Sequence, residues 1–349
     1  MRKQQSLPTG SGAVYDIHKM KKQLSLPVSN SEIAAQQAKF QSRKKGDADF
    51  ITAYELLPEP NPDVELVFFH GLQVDDSIRQ YAFWRTWKMK NSEDCWPETL
   101  LPEMLTDRSK PPIKARVLSI SYEGRMKLME NEDDGDRVDD DVLIAQDLIN
   151  RLILDSDLKV GQTKGVPVFL VGHDLGGILI KRFVMTLEAQ MIGTIVEEEK
   201  RKIRSFLENL KSVFFYATPH SGSPAIEKMA SQIDEEEAND MLQLMKVLST
   251  ETSRINAKFQ QYRRGDTHSK VSRFTSHALH AAYETNEGGF SHSVVVPEGS
   301  ARCDVDSFYS VSANHFGVCQ AEGTFSTTVR LLSDRIKQEV WTAKGVRAW

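Results

Sequence analysis

Three cysteines in 349 residues, Cys95, Cys303 and Cys319, are too few for a disulfide scaffold, and their spacing matches no zinc motif. No apolar run approaches the ~20 residues of a membrane-spanning helix. The opening Met1-Arg2-Lys3-Gln4-Gln5-Ser6 leads into no signal-peptide core. A basic excess is missing as well: the net charge is −5, which gives no electrostatic case for a nucleic-acid partner. These absences leave a globular chain of ordinary hydrophobic content, 40%, long enough for one large core. A reducing compartment, the cytoplasm, is the expected setting.

Charge is unevenly placed. Residues 1–45 hold nine Lys or Arg against two acids, net +7, which leaves −12 on the rest. This segment is rich in Gln, Ser and Lys, and is expected to be a disordered basic tail. Two alternatives stay open. One is a transit peptide for mitochondrion or chloroplast, since acids are scarce. The other is an arm that docks on an acidic partner or a membrane surface. A second biased stretch, Glu130 to Asp141, packs eight carboxylates into twelve positions without the register of a calcium loop, and reads as a solvated loop.

Between 46 and 345 strand and helix patterns alternate, the signature of a mostly parallel, doubly wound sheet with helices on both faces. Expected strands are Phe50–Leu57, Val64–Phe69, Ala115–Tyr122, Val166–Val171, Leu210–Tyr216, Ala278–Tyr283 and Ser293–Val296. Helical spacing marks Val142–Leu154, Met241–Leu248 and Val329–Val340, with a small helical insertion over roughly 224–265.

One further absence concerns chemistry. Val171-Gly172-His173-Asp174-Leu175-Gly176-Gly177 has an apolar run before it and a mostly apolar helical run after it. That context identifies a nucleophile elbow, the strand-to-helix turn of the α/β-hydrolase fold. The glycines at 172 and 176 permit the tight turn. The serine that normally occupies the centre is missing, and Asp174 stands there.

The remaining parts of such a site have candidates in chain order. The loop His70-Gly71-Leu72 follows an early strand, so the backbone N–H of Leu72 can form half of an oxyanion hole, with that of Leu175 as the other half. His315 lies after the last strand, where the base of this fold belongs. Glu284 closes the Ala278–Tyr283 strand, which should take the seventh place in the sheet, and is the expected orienting acid, with Glu298, Asp304 and Asp306 as alternatives. His70, Gly71, His173, His220 and Ser221 are expected near the substrate. No metal or organic cofactor is implied.

The phrases Val67–Leu72, Cys95-Trp96-Pro97, Ala115–Ser119, the elbow, Phe215–Ser223, Val295–Ala301 and Asn314-His315 recur in order in one family. Over about 50–340 the chain resembles the serine-active-site-containing hydrolases, relatives of the inositol deacylases and other lipid-directed α/β-hydrolases. The resemblance implies action on a small-molecule ester or lipid-like ligand through a Ser-His-acid triad. Similar domains stand at the N-termini of some immune receptors of non-flowering plants and fungi, which implies a silent binding or signalling domain as an alternative.

Asp174 departs from that pattern. A carboxylate attacking an ester carbon gives an anhydride, so ester hydrolysis is expected to be altered or compromised. Carboxylate nucleophiles work instead at sp³ carbon, as in dehalogenases and epoxide hydrolases. Against that alternative, Leu175 fills the place of the halide-holding tryptophan of the dehalogenases it resembles. The proline-containing phrase of the epoxide hydrolases is also missing after His70-Gly71.

Overall fold

Strands and helices do alternate, and they build one sheet covered on both faces. The computed structural model describes residues 40–73, 81–107, 109–122, 140–155, 157–231, 240–264, 278–285 and 294–346. Most of the basic tail and of the acidic stretch lies outside them. Eight strands among the described residues are β1 Lys44–Asp47, β2 Ile51–Leu57, β3 Val64–Phe69, β4 Ala115–Tyr122, β5 Val168–His173, β6 Leu210–Tyr216, β7 Ala278–Glu284 and β8 Ser307–Val311. Their spatial order is β1-β2-β4-β3-β5-β6-β7-β8. β1 and β2 run antiparallel at one edge, and from β4 to β8 every neighbour is parallel. This is the α/β-hydrolase architecture.

The central strands are apolar because both faces are covered. β3 and β5 are buried at every position. On one face lie α3 (Asp140–Leu148, running on as a π-helical turn, Ile149–Leu154), α4 (Leu175–Gly193) and α5 (Glu197–Asn209). The insertion packs there too, as α6 (Pro224–Ala230), α7 (Asp240–Leu244) and α8 (Thr250–Arg264). The other face is closed by α1 (Ala82–Arg85), α2 (Trp96–Met104) and α10 (Thr327–Ala343). α9 is the short turn Glu298–Ala301. α4 is apolar nearly all round because α3, α5 and α8 enclose it against the sheet. Arg182 on α4 donates to Asp141 at 2.5 Å and also to Glu251, so one guanidinium ties α3 and α8 to the elbow helix.

Three expectations are corrected. Residues 294–296 form no strand: Val295 and Val296 are buried in a bend, and the Val296 N–H goes to a side chain rather than a ladder partner. The last strand is Ser307–Val311, whose half-polar, half-exposed pattern suits an edge position and gave little signal. Residues 40–45 belong to the folded part rather than the tail, since Phe40 is 5% exposed among Tyr81, Phe83 and Trp84.

β3 has β4 on one side and β5 on the other, so the direction of winding reverses there. Ligands of open α/β sheets bind outside the strand ends at such a switch point. The loop carrying Leu72 follows β3, and Asp174 follows β5.

Candidate active site

Asp174 holds the turn between β5 and α4 with φ 52° and ψ −121°. That sparsely populated conformation costs about 1–3 kcal/mol and needs rigid surroundings. Its N–H donates to the Tyr216 carbonyl at 2.9 Å, and its own carbonyl accepts from Gly177 at 3.1 Å. A Cβ at Gly176 would collide with the Phe69 and His70 carbonyl oxygens, and one at Gly172 would lie 2.7 Å from the Gly177 nitrogen. Only hydrogen at these positions lets α4 press against the end of β3.

The Asp174 side chain reaches in two directions. Oδ2 accepts the Leu72 N–H at 2.9 Å. Oδ1 lies 3.5 Å from His315 Nε2, an ion-pair distance that is long for a hydrogen bond. His315 Nδ1 in turn lies 3.1 Å from Glu284 Oε2, again as an ion pair whose angle falls short of a hydrogen bond. The other Glu284 oxygen accepts the Val296 N–H at 2.5 Å. Asp174, His315 and Glu284 are 3%, 4% and 1% exposed, so these charges interact with little screening.

Their protonation follows. Burial alone would lower the His315 imidazole, but the Glu284 carboxylate, and then Asp174, outweigh it and hold its pKa up at about 10. Burial would raise Asp174, yet His315, with smaller help from His173 and the Leu72 N–H, leaves it lowered. At neutral pH His315 is therefore a cation, with Asp174 as its counter-ion. Burial and then the charge of His315 drive His173 down to about 3, so it is neutral.

Leu175 opens α4, where the first N–H groups of a helix have no intrahelical partner. Gly71 lies against the elbow: a Cβ there would be 2.7 Å from Asp174 Cβ and 2.9 Å from Oδ2. Three of the residues expected to face substrate do something else. His70 is fully buried and stacks on Tyr122 with ring centroids 4.0 Å apart. Its Nδ1–H bonds the Gly71 carbonyl at 2.8 Å, and Tyr122 donates its hydroxyl to the His70 carbonyl. His173 turns its Nε2–H to the His315 carbonyl at 3.1 Å, bracing the histidine loop. His220 is 2% exposed and accepts from Lys181 at 2.8 Å, drawn inward by that amine. Ser221 is exposed, and its N–H donates to Ser300 Oγ at 3.1 Å. Glu298 and Asp306 pair with Arg302 and Arg263, away from His315. Arg263 also holds the Asp304 carbonyl.

Two neighbours were not anticipated. Tyr122 closes β4 beside the site, its phenol pushed up by burial and then by the charge of Asp174. Val296 supplies the backbone donor that fixes Glu284. Only their places at strand and loop ends could have marked them. Among the described residues, no cluster of three or more His, Cys, Asp or Glu could hold a metal, and no helix is long and apolar enough to cross a membrane.

No family profile matches the chain. Zebrafish (Danio rerio) Protein SERAC1 is 22% identical over 278 residues, 74% of this chain and 36% of that protein. Its mouse (Mus musculus) namesake is 23% identical over 184 residues, 47% of this chain and 22% of that protein. The chain thus spans about a third or less of the curated relatives it matches. Among solved structures, the mature form of Bacillus licheniformis lipase BlEst2 aligns with a TM-score of 0.44 and 17% identity, over 82% of this chain and 99% of that one. A soluble variant of Saccharomyces cerevisiae monoglyceride lipase aligns with a TM-score of 0.42 and 8% identity, over 85% and 94%. The immune-receptor reading finds no support among these relatives.

Proposed function

We propose that this chain is built on the plan of an ester or lipid hydrolase, accepts a small-molecule ester or lipid-like ligand, and is held back from ester turnover by Asp174. One observation carries the reading: a single carboxylate bonds the Leu72 N–H and faces His315. In acyl transfer, the first position belongs to the oxyanion and the second to the nucleophile that surrenders its proton. The Asp174 side chain fills both. A protonated His315 cannot act as a base, and attack by the carboxylate would have to expel an alkoxide to leave an anhydride.

In this reading residue 174 is the nucleophile position, His315 the base, Glu284 its orienting acid, and the N–H groups of Leu72 and Leu175 the oxyanion hole. With serine at 174 the Leu72 N–H is released and His315 loses one of its two anionic neighbours. It can then take the hydroxyl proton as the oxygen attacks the ester carbon.

The test is hydrolysis of p-nitrophenyl butyrate. Loss of a triad serine costs on the order of a millionfold in turnover, so folded Asp174→Ser is expected to exceed the parent by at least a thousandfold. Adding His315→Gln should return it to the parental rate. A folded Asp174→Ser protein as inert as the parent would overturn the reading.

A second reading, attack on sp³ carbon, has one observation in its favour. Asp174 Oδ2 is anchored on Leu72 while Oδ1, facing His315 at 3.5 Å, makes no hydrogen bond of good geometry.

A further inference from the structure

Glu284 is held by one peptide unit, and that unit is held in its turn. The Val296 N–H donates to Glu284 Oε1 at 2.5 Å, while Oε2, the oxygen facing His315, makes no hydrogen bond of good geometry. The carbonyl of the same peptide belongs to Val295 and accepts the Ser223 hydroxyl at 2.5 Å. Ser223, Val295 and Val296 are all buried, so solvent competes little for these bonds. A peptide that accepts at its oxygen donates more strongly at its nitrogen, since hydrogen bonds in a chain polarise one another. Ser223, the Val295–Val296 peptide, Glu284, His315 and Asp174 thus form one line of contacts, with 3.1 Å from Glu284 to His315 and 3.5 Å from His315 to Asp174.

Ser223 is firmly anchored at the far end of that line. It precedes α6, the first helix of the insertion, and its Oγ accepts the Ile226 N–H at 3.2 Å, as an N-cap does. Its own N–H donates to the Met245 carbonyl at 3.0 Å, and its carbonyl accepts from Glu227 at 2.9 Å. Gly222, just before it, has φ 83°, and a Cβ there would run into the Lys246 carbonyl. A second set of bonds joins the same two segments without touching the Val295–Val296 peptide. Ser300 Oγ donates to the Gly222 carbonyl at 2.6 Å, and the Ser300 carbonyl accepts the His220 N–H at 3.1 Å. The two serines therefore separate two roles: Ser300 ties the segments together, whereas Ser223 bears on the peptide that grips Glu284.

On the reading that Glu284 orients His315, we propose that Ser223 is a positioning residue for the site, fixing Glu284 through the Val295–Val296 peptide and His315 through Glu284. With the hydroxyl in place the peptide keeps its N–H on Oε1, and Oε2 stays beside the imidazole. Without it the Val295 carbonyl loses this donor, the peptide is free to turn, and the carboxylate drifts from His315 Nδ1. The groups facing the imidazole are Asp174 from the elbow, Glu284 from the end of β7 and the neutral His173 from the end of β5. A loosened Glu284 therefore weakens the strongest hold on the imidazole proton. The insertion is in this way tied to the chemistry, since whatever shifts the start of α6 shifts the acid.

The experiment follows the His315 ring protons by NMR in Ser223→Ala, Ser223→Thr and Ser300→Ala forms of the whole chain. Ser223→Ala is expected to lower the His315 pKa from about 10 by roughly half a pH unit or more, with Ser223→Thr close to the parent and Ser300→Ala unmoved. An unchanged titration in folded Ser223→Ala, or an equal fall in Ser300→Ala, overturns the assignment. Should Ser223→Ala fail to fold, the parent decides: the Val295 carbonyl carbon and the Val296 amide should shift together as His315 titrates. A carbonyl carbon that stays still overturns the link to Ser223. In a second arm, Asp174→Ser with Ser223→Ala should hydrolyse p-nitrophenyl butyrate with kcat on the order of tenfold below Asp174→Ser alone and KM little changed. An unmoved kcat there overturns the positioning role. An inert Asp174→Ser protein would strike the hydrolase reading instead and leave the His315 titration to judge Ser223.

Discussion

The backbone N–H of Leu72 is taken by the Asp174 carboxylate at 2.9 Å, so this donor is already occupied by the protein itself. Exchange at position 174 is therefore expected to change chemistry rather than fold, and the following outcomes are expected.

The buried charge triad should show in stability against pH. His315 rises from 6.5 to about 10 on folding, so the stability it contributes is complete below pH ~6.5 and lost as pH rises through about 10. Asp174 is lowered, so its contribution is present above its ordinary value of 3.8 and lost as pH falls through the folded value. Between pH 7 and 10 the parent is expected to lose on the order of 2–4 kcal/mol more stability than His315→Gln. Denaturant titrations across that range provide the measurement, and parallel curves for the two proteins would sink the charge assignment.

Glu284→Gln removes the largest force holding the imidazole up while leaving an oxygen for the Val296 N–H. The pKa of His315, followed by NMR of its ring protons, should fall by at least about one unit. Loss of one partner from a buried ion pair should cost about 3 kcal/mol. An unmoved titration would show that Glu284 is not the orienting acid.

Gly71→Ala places a methyl group 2.7 Å from Asp174 Cβ. Since serine also carries that Cβ, the clash survives in an Asp174→Ser background. Destabilisation of about 1–3 kcal/mol is expected in both proteins, together with lower esterase activity in the serine form as Leu72 is displaced. Thermal melts and p-nitrophenyl butyrate rates settle the point.

Alkylation tests the sp³-carbon alternative. If Asp174 Oδ1 attacks an alkyl halide or epoxide, His315→Gln should trap the ester, visible by intact mass as one added alkyl group at Asp174. No mass gain after prolonged incubation counts against that route.

Much of this was legible in the residues. Val64–Phe69, Ala115–Tyr122 and Leu210–Tyr216 coincide with strands because both-face burial writes a continuous apolar run. Asp174, His315 and Glu284 stand out by their positions after particular strands, and the fold sets His315 3.5 Å from Asp174 and 3.1 Å from Glu284; their catalytic roles belong to the proposed reading. The failures have physical causes. Val295 and Val296 resemble a strand because they are buried, but burial in a bend carries the same letters. His220 and His70 looked accessible because histidine often lines a pocket, whereas pairing with Lys181 and stacking on Tyr122 depend on contacts between distant parts of the chain. The protonated state of His315 was also invisible, since it depends on two carboxylates brought together only by the fold.

The φ of Asp174 bears on history as well as mechanism. An awkward main-chain posture needs continual bracing from Tyr216 and from the contacts around Gly176. A scaffold that had finished with this corner could relax it by small changes nearby. This protein keeps the corner under tension, poised to present whatever group stands at its tip.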